Sequence, residues 1–126
     1  MKKIVISAED VSMSAELNGN PTADEIWNAL PFEGEAGTWG DEIYFEIPVD
    51  MDEASDARAD VDVGELGYWP VGNALCIFFG PTPSSTGDKP RAASPVNVVG
   101  RVSGDATKFR AIQDGVTVRV ERSPES

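Results

Sequence analysis

Polar and apolar residues alternate strictly over several stretches of the chain. Val11, Met13, Ala15 and Leu17 fall on one side of an extended backbone, and Ser12, Ser14, Glu16 and Asn18 on the other. Period two over eight residues predicts a half-buried strand. Ile43, Phe45, Ile47 and Val49 alternate in the same way with Tyr44, Glu46 and Pro48, and Val116, Val118 and Val120 do so near the end. Pro48 removes a ladder donor, so that second strand should stop there or lie at an edge. Lys3 to Ser7, Val96 to Val102 and the run Ala74-Leu75-Cys76-Ile77-Phe78-Phe79 read as further strands. A shorter alternation sets Val61 and Val63 against Asp60 and Asp62.

The pattern changes period once. Ala23, Ile26, Trp27 and Leu30 fall at i, i+3, i+4 and i+7, with Thr22 and Glu25 placed as a capping box and Pro31 as the stop. This predicts a helix of about two turns. Gly104-Asp105 should cap a short helical turn reaching Ile112. Pro31 to Gly40 reads as an irregular, Gly-rich connection, Gly64 to Pro70 as a turn-rich aromatic segment, and Gly80 to Pro95 as a long surface loop. Seven or eight short strands with one or two short helices predict a closed or nearly closed antiparallel barrel. Residues 1–122 make one domain, and 123–126 a frayed tail.

Composition narrows the chemistry. The 126 residues contain no His and a single Cys, which excludes imidazole acid–base relays, Cys/His zinc sites and an intrachain disulfide. A net charge of −12 offers no basic stripe for nucleic acid and would be repelled by anionic membranes. The N-terminal apolar run is too short for a signal peptide, so a cytoplasmic location is expected. No cofactor and no metal are expected. The acidic stretch from Asp50 to Asp62 lacks calcium-loop spacing and reads as a solvated loop, and Gly34, Gly37 and Gly40 lack the strand, helix and Lys of a phosphate cradle.

Two groups of residues remain as candidates. Glu65 sits between glycines beside Tyr68 and Trp69, where apolar neighbours would suit a carboxyl for acid–base work. Alternatively it is a turn glutamate accepting backbone N–H bonds. Trp39, Tyr68 and Trp69 adjoin glycines, where a ligand can approach the backbone, so they wall either a pocket or the core. At least one of Phe78 and Phe79 must be core, since neighbours on a strand face opposite ways.

At Gly64-Glu65-Leu66-Gly67-Tyr68-Trp69-Pro70-x-Gly72, and on into Phe78-Phe79-Gly80-Pro81-Thr82-Pro83, the chain resembles a family of small bacterial and archaeal proteins with a cyclophilin-like fold and no settled function. Pro21-Thr22-Ala23, Leu30-Pro31, Gly40 to Phe45 and Val99-Gly100-Arg101-Val102 extend the resemblance over most of the sequence. It implies a mainly β fold: a cyclophilin-like, closed antiparallel β-barrel of about eight strands with one or two short helices. Val98 to Ile112 also looks like the last strand and helix of true cyclophilins, which are prolyl isomerases using an Arg, a Gln and a His. An ungapped match from Tyr68 puts Pro70 at the Arg position and Phe78 at the Gln position, and the chain has no His. Without the guanidinium the main electrostatic contribution is missing, so isomerase activity is not expected.

The expected function is a non-catalytic module that binds a small molecule or an extended peptide. Its cleft would be lined by Trp39, Tyr68, Trp69, Phe79 and the Gly80–Ser85 loop, including Thr82 and Ser84. Two alternatives stand beside it. One is an enzyme using Glu65 as acid or base, by fold-level analogy with cyclophilin-like domains of amidohydrolase-type and 5-oxoproline-processing assemblies. The other is a protein–protein adaptor with an aromatic hot spot. The oligomeric state is left open.

Overall fold

A computed structural model describes residues 2–124. The fold is mainly β, with ten strands and two short helices among the described residues. Strands β1 (Lys2–Ala8) and β2 (Val11–Leu17) form a hairpin closed by Glu9 and Asp10, in register from Lys2–Leu17 to Ala8–Val11. Ile4, Ile6, Met13, Ala15 and Leu17 point into the main core, as the alternation requires.

Helix α1 (Pro21–Ala29) follows and buries Ala23 and Ile26. Its cap is Asn20 rather than Thr22: the Asn20 side chain accepts the Ala23 N–H at 2.9 Å, and Pro21 opens the first turn. Thr22 is buried instead, where its hydroxyl accepts from Asn97 Nδ2 at 3.1 Å.

The Gly-rich connection contains two strands, β3 (Phe32–Glu35) and β4 (Gly37–Thr38). Then come β5 (Glu42–Glu46), β6 (Arg58–Asp60), β7 (Glu65–Trp69), β8 (Ala74–Phe78), β9 (Arg91–Val102) and β10 (Thr117–Arg122). β5 ends two residues before Pro48. The short helix is a 3-10 helix, Ala106–Ala111, capped by Asp105 through the Thr107 N–H at 3.0 Å. Val61 and Val63 lie outside any strand. The tail is tied as far as Ser123, whose N–H donates to Lys3 O at 2.9 Å, while residues 125–126 lie outside the described residues.

The strands form one sheet in the order β3-β10-β1-β2-β9-β7-β8-β5-β4, with β6 attached to β9. The two edge strands, β3 and β4, are consecutive in the chain, separated only by Ala36. Among the described residues hydrogen bonds do not close the sheet into a ring, so the expected closed barrel is not borne out. Ala36 donates to Val116 O and accepts from Gly115 N, both at 2.8 Å, and so pins the crossing segment to the start of β10.

β8 explains the rest of the layout. All five of its residues are buried, so both of its faces must be covered. Leu75 and Ile77 join the main core with Ile43, Phe45, Leu66 and Tyr68. Cys76 and Phe78 point the other way and form a second, smaller core with Val61, Ala92 and Val96. The first half of β9, paired with β6, supplies that cover. Gly67 permits the approach, since a Cβ there would lie 2.7 Å from Val96 Cγ2.

Candidate functional site

The second core stops short of filling its face of the sheet, and the gap is a cavity of about 220 Å³. Trp39, Glu42, Tyr44, Trp69, Cys76, Ala92, Ala93 and Val96 line it. Its residues are brought together by register. Trp39 donates its N–H to Glu42 O at 3.0 Å across a two-residue turn, in which Gly40 takes φ +60°. Trp39 therefore faces Glu42 directly, and Tyr44 lies two residues further along the same face. Across the ladder Tyr44 pairs with Cys76 and Glu42 with Phe78, while Trp69 pairs with Ala74 on the far side.

The aromatic walls are braced. Tyr44 is paired with Gly37, where a Cβ would lie 2.6 Å from Tyr44 Cζ, so the ring rests against bare backbone. Gly72 gives Trp69 the same room, with a would-be Cβ 2.8 Å from its ring. Trp69 Nε1 donates to Ser94 Oγ at 2.6 Å, which fixes the indole's polar edge.

Glu42 is the unusual member. It is 5% exposed, and its Oε1 has no hydrogen-bond partner. The carboxyl also lies beside the buried Cys76 thiol. Desolvation raises its pKa from 4.5 to about 7, with the thiol's hydrogen bond pulling slightly the other way. Burial, and then the Glu42 charge beside it, push the Cys76 thiol well above its ordinary range.

Sequence reasoning placed two of the cavity's walls, Trp39 and Trp69, and missed Glu42, Tyr44 and Cys76 as lining. The other candidate residues lie elsewhere. Tyr68 is fully buried on the opposite face, where its hydroxyl donates to Val49 O at 2.7 Å and accepts from Met51 N at 3.1 Å. Phe79 is in the main core. Thr82 and Ser84 organise their own loop: Thr82 Oγ1 donates to Arg91 O, Thr82 N–H donates to Ser85 Oγ at 2.9 Å, and Ser84 N–H donates to Thr82 Oγ1 at 3.3 Å. The Gly80–Ser85 loop does not line the cavity.

Glu65 is engaged on both oxygens. Arg58 Nη2 donates to Oε1 and Oε2 at 3.0 Å each, and Asp62 N–H donates to Oε1 at 2.8 Å. This is the role of a turn glutamate with an added guanidinium. The acidic stretch is a loop as far as β6, anchored from below by Tyr68 and by buried Asn97, whose Oδ1 accepts from Ala54 N at 2.8 Å and whose Nδ2 donates to Asp52 O at 3.0 Å.

The cyclophilin-like family matches residues 2–121. The chain belongs to the cyclophilin-like family. A solved relative is similar over nearly its whole length: the solution structure of the hypothetical protein AF2241 from Archaeoglobus fulgidus, 36% identical, with a TM-score of 0.80. That match covers 97% of this chain and 95% of the other. No curated protein matches. Within this cyclophilin-like chain, Phe78, which the ungapped match from Tyr68 sets at the Gln position, is fully buried in the second core, and Pro70 follows β7 directly. No helix among the described residues is long and apolar enough to cross a membrane.

Proposed function

We propose that the chain is a non-catalytic binding module for a small molecule or one residue of an extended peptide, seated in the cavity between Trp39, Tyr44 and Trp69. One observation carries this reading: Glu42, a buried carboxyl with an unpartnered Oε1, stands in the wall of an aromatic-lined cavity. Leaving a buried acceptor unmatched costs about 1–3 kcal/mol, and folding alone gains nothing from it. A ligand that donates a hydrogen bond to the Glu42 carboxyl offsets that cost. At about 220 Å³ the cavity lies below the usual range of drug-sized pockets, which favours a ligand of one ring or a short branched group. The net charge and the single buried thiol fit a cytoplasmic setting.

Native mass spectrometry of protein purified gently from its own host tests the reading. The expected result is a reproducible extra mass that disappears on denaturation and is absent from Trp69→Ala. A bare protein mass from wild type, with no mass recovered on incubation with host extract, would overturn it.

A second reading uses the same carboxyl. A group titrating near 7 is suited to proton transfer at neutral pH, so the carboxylate-enzyme alternative rests better on Glu42 than on the fully bonded Glu65. Glu42→Gln separates the two. A binding module loses its ligand mass in this variant, whereas an enzyme retains unconverted substrate.

A further inference from the structure

We propose that the cavity is selective for a compact organic cation, an alkylated ammonium head, held by Trp39, Tyr44 and Trp69 with the Glu42 carboxylate as its counter-charge. This deepens the binding reading and rests on it. Aromatic faces attract a cation through their quadrupole, and the attraction grows when the cation is shielded from water. Three aromatic side chains and one carboxyl meet here in a space too small for a long ligand. No Lys or Arg lines the cavity, so nothing there would favour an anion. The chain's net charge of −12 adds a field that draws cations toward any of its clefts.

An alkylated head suits the site better than a bare ammonium. Glu42 supplies the only carboxyl of the lining, and its Oε1 is sealed from solvent, whereas a primary ammonium has three N–H bonds to satisfy. Methyl groups replace those donors with surface that packs on Trp39, Trp69, Ala92 and Val96. The walls are also set in advance, Tyr44 against Gly37 and Trp69 against Gly72, so little ordering is required on binding.

The groups facing Glu42 make the proposal pH-dependent. Tyr44 on its own strand and Cys76 on β8 are the other titratable side chains of the lining, and β7 and β9 contribute only Trp69, Ala92, Ala93 and Val96. Glu42 is thus the group that changes charge there near neutrality.

The test titrates the protein with choline and with its uncharged isostere 3,3-dimethylbutan-1-ol, read by tryptophan fluorescence and by indole NMR signals. Choline should bind at least about tenfold tighter at pH 8, and its affinity should fall about tenfold by pH 6 as Glu42 takes up a proton. Glu42→Gln, nearly the same shape, should bring choline affinity down to that of the isostere. A trimethyllysine hexapeptide run in parallel identifies a peptide-borne head if it binds tighter than choline, and a free ligand if it does not. Isostere binding equal to or tighter than choline overturns the cation and leaves the cavity a ligand site. Failure of both probes overturns the cation too. The binding reading itself then falls only if the native mass spectrum is also bare.

Discussion

Glu42 and Glu65 lie on one face of the sheet, on the strands either side of β8, and are only 5% and 7% exposed. Their surroundings differ completely. Glu65 receives a guanidinium on both oxygens and a backbone N–H besides. Glu42 has a thiol, an unpartnered oxygen and a cavity in front of it. Burial is therefore a poor guide to purpose. The Glu65 end is closed by the protein's own groups and holds the turn between β6 and β7. The Glu42 end is left incomplete.

The sharpest way to separate the two faces is to truncate consecutive residues of β8. Leu75→Ala removes a fully buried side chain of the main core and should cost about 2–5 kcal/mol in denaturant unfolding. Cys76→Ala, beside the cavity, should cost about 1 kcal/mol or less, because its neighbours already border empty space. Equal losses would mean that the second core supports the fold as strongly as the first.

The next effect concerns pH. The folded-state pKa of Glu42 is raised from 4.5 to about 7, so the folded protein binds its proton more tightly than the unfolded chain. The resulting stability is fully present below about pH 4.5 and is lost as pH rises through 7, a swing of roughly 3 kcal/mol. Subtracting the stability curve of Glu42→Gln from that of wild type should show this fall, and at pH 8 the variant should be the more stable protein. A flat difference curve contradicts the uncompensated carboxyl.

Arg58→Ala should act in the opposite sense. It strips Glu65 of its guanidinium and should cost about 1–3 kcal/mol near neutral pH, moderated because Arg58 is about half exposed. The smallest effect on stability should come from Gly37→Ala. Its Cβ pushes against Tyr44, which can swing into solvent, so unfolding should shift by less than about 1 kcal/mol. Choline affinity should nevertheless drop, since a cavity wall has moved.

Much of the fold was legible because one face of each strand is plainly apolar. The short run at β1, the alternations of β2, β5 and β10 and the periodicity of α1 all correspond to observed elements. β3, β4 and β7 read in the sequence as a Gly-rich connection and a turn-rich segment, since their glycines resemble turn residues. Gly34 and Gly37 sit against Glu46 O and the Tyr44 ring, and Gly67 against Val96, so these glycines record close approach rather than turns. The helix cap was misplaced by two residues because Thr22 and Glu25 fit a capping box, whereas the side chain that caps the helix is that of Asn20, ahead of Pro21. Family resemblance and the family match over residues 2–121 agree.

The site was only half legible. Trp39 and Trp69 stood out beside glycines, but Tyr68, adjacent to Trp69, faces the other way for the reason that neighbours on a strand always do. Glu42 carried a usable signal. It shares a face with Tyr44, opposite Ile43 and Phe45, and neighbours a strand apolar on both sides. A strand of that kind demands cover on both faces, so an acidic residue beside it is buried unless the cover is incomplete. Only the register with Phe78 and Cys76 shows that it is buried and short of a partner.

The most direct test of the account is a carboxyl-detected NMR titration of Glu42, assigned through Glu42→Gln, without and then with choline. A midpoint near pH 7 that moves down when choline is present is the expected result. A midpoint in the ordinary range of glutamates, unmoved by choline, would mean that Glu42 already has its partners and that the cavity is not awaiting a cation.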